Sequence, residues 1–75
     1  MPIKFSQHAK VQLKKRRISQ KRIFETVRNP EEMLQSYKKR RLRRRLFGDK
    51  ILQVVTVTEG SRITVISTYY IEKKI

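Results

Sequence analysis

The chain has 75 residues, no cysteine, and 20 lysines and arginines against six carboxylates, for a formal charge of +14 at pH 7. The missing cysteines exclude disulfides, thiolate zinc sites and cysteine nucleophiles, and the length holds one domain, residues 1–75, with a thin core. A chain so charged repels itself and calls for an acidic partner: RNA, DNA or an acidic protein.

Taken in order, Ile3 and Phe5 flank Lys4 in a short alternating start. Ser6 is placed to cap a helix over residues 7–17, with Ala9, Val11 and Leu13 on its apolar side. His8, Gln12 and Arg16 recur every four residues and form a polar stripe beside Ala9 and Leu13. Ser19 caps a second helix over residues 20–28, stapled by Ile18 and Ile23 and stopped by Asn29-Pro30. Its buried stripe is Ile23, Phe24 and Val27.

Beyond Glu31 the period changes to two, and residues 33–37 read as an edge strand. The stretch Lys38, Lys39, Arg40, Arg41, Leu42, Arg43, Arg44, Arg45 follows, with seven positive charges in eight residues. Its guanidinium groups suit phosphate, and the Gly48-Asp49 turn after it makes it the first arm of a hairpin. The β-branched runs Ile51 to Thr58 and Arg62 to Tyr70, joined at Gly60-Ser61, complete an α+β fold: two helices on a four-stranded antiparallel sheet. Two-residue loops at both turns set Leu46 opposite Ile51, Leu42 opposite Val55 and Glu59 opposite Arg62. Leu42, Leu46, Ile51, Val55, Val57 and Ile66 then share the more apolar face with Arg44, Gln53, Thr68 and Tyr70, and the helices are expected there. Arg41, Arg43, Arg45, Leu52, Val54, Thr56, Val65, Ser67 and Tyr69 fall on the face expected to be exposed.

The uncharged runs, residues 51–58 and 63–71, are far short of the roughly 20 needed to span a bilayer. Residues 5–8 offer no apolar signal core, so the expectation is a soluble, cytoplasmic protein with no membrane partner. The scattered carboxylates do not suit a metal-ion mechanism, and no cofactor is expected. RNA carries its own nucleophile, the 2′-hydroxyl, and a base, an acid and cations suffice to cleave it. His8, the single histidine, is the residue type for that base.

His8-Ala9, Leu13, Arg16, Ile18-Ser19, Asn29-Pro30-Glu31 and the closing Ser67-Thr68-Tyr69-Tyr70 together resemble a small, largely uncharacterised bacterial and archaeal family that looks related to the RelE, ParE and BrnT toxins and the colicin D nuclease domain. The resemblance covers nearly the whole chain. It implies two helices on a four-stranded antiparallel RelE-like sheet and a metal-free endoribonuclease, the toxin of a toxin–antitoxin pair. His8, Arg16, Thr68 and Tyr70 match its polar positions, and the run from Lys38 to Arg45 matches its RNA-facing charge. Gln12 departs from it, standing where an arginine is usual, and so does Arg17, standing where glycine is usual. The missing cation beside His8 implies either a weakened or lost activity, or that Arg44 or Arg45 fills its place from the sheet.

Two functions follow. One is an endoribonuclease using His8 as base or acid, Arg16 and an arginine among Arg43 to Arg45 on the phosphate, and Thr68 or Tyr70 to position it. The other is a non-enzymatic module binding structured RNA or the ribosome through the same cations. DNA binding ranks behind both, since no recognition helix is legible. An acidic antitoxin is the expected protein partner.

Overall fold

Ser6 and Ser19 set where the helices begin. In the computed structural model, which describes residues 2–72, the Ser6 hydroxyl accepts from the Ala9 amide at 3.1 Å and opens α1, Gln7–Lys15. The Ser19 hydroxyl accepts from the Arg22 amide at 3.4 Å and opens α2, Gln20–Arg28, whose bounds match the sequence reading. The first helix stops short of the expected residue 17. Arg17 turns left-handed at φ 53°, its amide bonds to the Lys14 carbonyl, and the Ile18 amide bonds to the Leu13 carbonyl. This is a Schellman ending, which explains why glycine suits the position and why arginine there is strained.

The strands are β1 (Ile3–Phe5), β2 (Glu32–Gln35), β3 (Arg40–Phe47), β4 (Lys50–Glu59) and β5 (Arg62–Glu72), in the order β1-β5-β4-β3-β2. The fold is α+β as expected, but the sheet has five strands and is mixed, because β1 pairs in parallel with β5. At three residues β1 is too short for its alternation to declare a strand. The basic arm also starts later than expected. Lys38 and Lys39, at φ 60° and 59°, form the turn between β2 and β3, and the strand itself begins at Arg40.

Both predicted two-residue turns hold, with Leu46 opposite Ile51 and Glu59 opposite Arg62. Between them a β-bulge intervenes: Val55 faces Ser67 and Thr56 faces Val65, leaving Ile66 as the extra residue. Past the bulge every β5 side chain changes face. Thr68 and Tyr70 join Val54 and Leu52, while Ser67 and Tyr69 join Val55 and Gln53.

The helices cover the face opposite to the expected one. Ala9, Ile18, Ile23 and Val27 pack against Leu52, Val54, Ile63 and Val65, with Phe5, Leu13, Phe47 and Tyr70 at the margin. That puts Arg43 beneath α2, only 8% exposed. Its Nη1 donates to the Val27 carbonyl at 2.8 Å and its Nε to the Thr56 hydroxyl at 3.1 Å. Arg45 donates to the Asn29 carbonyl at 2.8 Å. Alternate arginines of β3 thus meet the C-terminal carbonyls of α2, where donors and positive charge are wanted, and their aliphatic stems serve as core. Counting apolar residues selected the wrong face because it took arginine for a surface residue.

Two stability measurements test this packing. Replacing Arg17 by glycine is expected to raise unfolding free energy by about 1 kcal/mol, read from urea midpoints. Arg43→Ala is expected to cost roughly 2–4 kcal/mol and Arg41→Ala less than about 1. Equal costs for the two arginines contradict the covered face assigned above.

Candidate functional site

Ser6 fixes α1 to β5 as well as capping it: its amide donates to the Val65 carbonyl at 2.9 Å and its hydroxyl to the Ile66 carbonyl at 3.2 Å. From there the helix runs beside the β5 edge beyond the end of β1. Gln12 Oε1 accepts from the Thr68 amide at 3.0 Å and the Ser67 hydroxyl at 2.9 Å, so one side chain closes that edge. An arginine has no acceptor and cannot make either bond, which gives the departure at position 12 a structural meaning.

One turn on, Arg16 carries its guanidinium over the Tyr69 ring, 5.8 Å from the centroid. Tyr69 in turn ends a polar row that crosses the uncovered face at one register. Glu32, Arg44, Gln53 and Tyr69 stand opposite one another on β2, β3, β4 and β5. Arg44 donates to Glu32 at 2.9 Å and to Gln53 Oε1 at 2.6 Å, and Gln53 Nε2 donates to the Tyr69 hydroxyl. Gln53 is 3% exposed, so its amide depends on both partners. Because the phenol oxygen accepts from Gln53, its own proton is free to point outward.

The four predicted catalytic residues are therefore not brought together. His8 is exposed on α1, on the stripe it shares with Gln12 and Arg16. Thr68 is buried on the helix-covered face, its hydroxyl without a hydrogen-bond partner among the described residues. Tyr70 also lies on that face, where its hydroxyl accepts from Arg22 at 3.0 Å and its ring borders the core. The bulge offers Tyr69 and Ser67 at the α1–β5 seam instead. Only the bulge hides them from sequence reasoning, since the adjacent Tyr-Tyr pair guarantees one tyrosine on each face.

The predicted phosphate-binding residues also divide. Arg40 and Arg44 are half-buried on the uncovered face, and Lys38 and Lys39 are exposed at the hairpin tip. Arg41 lies beyond the helix cover and lines a cleft with Lys39, Arg40 and Thr58. Arg43 and Arg45 belong to the α2 junction, so neither supplies a cation at the seam. Burial first, and the charge of Arg41 second, lower the Arg43 pKa from its ordinary value. Ion pairs offset little of the charge: among the described residues Arg44 meets Glu32 at 2.9 Å and Arg45 approaches Glu25 at 3.9 Å. The uncovered face also carries apolar side chains, with Leu34 and Leu46 each 38% exposed.

Two tyrosine variants test the bulge. Tyr69→Phe strands the buried Gln53 amide and is expected to cost about 1–3 kcal/mol in denaturant unfolding. Tyr70→Phe removes one exposed bond to Arg22 and is expected to cost under about 1 kcal/mol. The reverse order is incompatible with the register given.

No helix among the described residues is long and apolar enough to cross a membrane, and no three His, Asp or Glu side chains among them gather as a metal site does. No curated protein and no solved structure matches the chain. A family described as a domain of unknown function, DUF4258, matches residues 5–70, almost the full length. The chain belongs to that DUF4258 family.

Proposed function

We propose that this protein is a metal-free endoribonuclease, the toxin of a toxin–antitoxin pair, holding RNA along the α1–β5 seam and the adjoining uncovered sheet face. The observation that carries this reading is the alignment of exposed His8 with Arg16 on one helical stripe, where Arg16 overlies a tyrosine whose hydroxyl Gln53 holds in place. The toxin assignment rests on the resemblance and on the +14 charge, which an acidic antitoxin offsets.

In this mechanism the His8 imidazole takes the proton of a ribose 2′-hydroxyl as the 2′-oxygen bonds to phosphorus. Arg16 bonds the equatorial oxygens as negative charge builds on them. The bond from phosphorus to the 5′-oxygen then breaks, and the Tyr69 hydroxyl protonates the leaving oxygen. The products are a 2′,3′-cyclic phosphate and a 5′-hydroxyl. Arg40 and the Lys38-Lys39 tip hold neighbouring phosphates, and Thr68 and Tyr70 support the strand from its covered side.

A second reading, a non-enzymatic module for RNA or the ribosome, draws on the burial of the Thr68 hydroxyl and the engagement of Tyr70 by Arg22, which leave two of the four matched residues at the seam. Incubation with total RNA in chelator separates the readings. His8→Ala is expected to slow cleavage at least about 100-fold, with RNA affinity within a few fold of the parent. Cleavage by the variant at the parent rate removes His8 from the site. If the parent never cuts, and Lys39→Ala with Arg40→Ala flattens the salt slope of binding by roughly 0.7–0.9 per lost contact, the binding module is the better description.

A further inference from the structure

On the helix-covered face, Ile3, Val27, Arg28, Arg43 and Ile63 line a cleft of about 380 Å³ between α2 and strands β1, β3 and β5. Arg43 brings into it a guanidinium whose protein partners are both neutral, the Val27 carbonyl and the Thr56 hydroxyl. Neither ion pair among the described residues involves it. The C-terminal end of α2 supplies roughly half a negative charge, which leaves the rest uncompensated. A buried cation in that position is costly unless an anion joins it. Nε and Nη1 are taken, which leaves Nη2 for an oxyanion. Arg28, stacked 5.4 Å over the Phe24 ring, adds a second cation at the rim, and the remaining walls are aliphatic.

We propose that this cleft binds a carboxylate borne on an apolar body, with Arg43 and Arg28 as the anion-holding residues and Ile3, Val27 and Ile63 as the apolar wall. A carboxylate with an aliphatic neighbour fits better than a nucleic-acid phosphate, because sugar flanks gain little from three aliphatic side chains. An acidic segment of a protein partner presents that chemistry. The site is separate from the proposed RNA seam and does not depend on it.

The test titrates the full chain with acetate, hexanoate and inorganic phosphate at fixed ionic strength, following the Ile3 and Ile63 methyls and the Arg43 Nε–H by NMR. Hexanoate has four more methylenes than acetate, each worth at most about fourfold, so it is expected to bind at least about tenfold tighter and to shift both methyls. Arg43→Met and Arg28→Ala are each expected to weaken it tenfold or more. Arg28 is exposed, so its variant remains informative if Arg43→Met fails to fold. Hexanoate binding no tighter than acetate, unmoved methyls, or undiminished binding to Arg28→Ala overturns the proposal. Phosphate binding as tightly as hexanoate overturns it in favour of a simple anion site.

Discussion

The Arg43 guanidinium has to find acceptors where it lies, because its stem is enclosed between α2 and the sheet. It finds them in the last turn of the helix and in a threonine of the neighbouring strand. That arrangement fixes which face of the sheet the helices cover, and much else follows from it. Arg45 is drawn to the same helix end, Leu52 and Val54 become core, and Arg40, Arg44 and Gln53 are turned to the uncovered face. One desolvated cation thereby divides a strand that reads as uniformly basic into a structural row and an available row.

A single extra residue in β5 has an effect of similar size. Without the bulge at Ile66, Thr68 and Tyr70 stand beside Gln53 and Ile51; with it, Tyr69 and Ile71 do, and Ser67 stands beside Val55. The Ser6 hydroxyl occupies the Ile66 carbonyl, so the irregularity also ties down the start of α1. Helix cap, bulge and seam form one connected unit, and that unit places Arg16 over Tyr69.

Local signals in the sequence are the ones that survive. Ser6, Ser19 and Asn29-Pro30 delimit the helices because capping is decided within four residues, and Gly48-Asp49 and Gly60-Ser61 set both turns because φ > 0 favours glycine. Non-local features were illegible. The parallel strand Ile3–Phe5 exists through β5 alone, and the left-handed Lys38-Lys39 turn carries no glycine or asparagine to announce it. The covered face depends on whether arginine stems count as apolar, which composition does not reveal. Among the candidate residues, His8 and Arg16 keep their helical spacing, while Thr68 and Tyr70 change face with the bulge.

Gln12 connects these points to chemistry. Its carbonyl oxygen serves the Thr68 amide and the Ser67 hydroxyl at once, a task an acceptor can perform and a cation cannot. The chain thus closes the β5 edge with the position at which the resembled pattern has an arginine. Arg45 cannot replace that charge, because it lies across the sheet at the α2 junction, and Arg44 is already bound to Gln53 and Glu32. Arg16 remains as the guanidinium at the seam. It lies over an aromatic ring and takes part in neither ion pair found among the described residues. The sparing use of carboxylates and the strand-edge glutamine are then two sides of one arrangement, in which positive charge at this margin is left without an ion pair among the described residues.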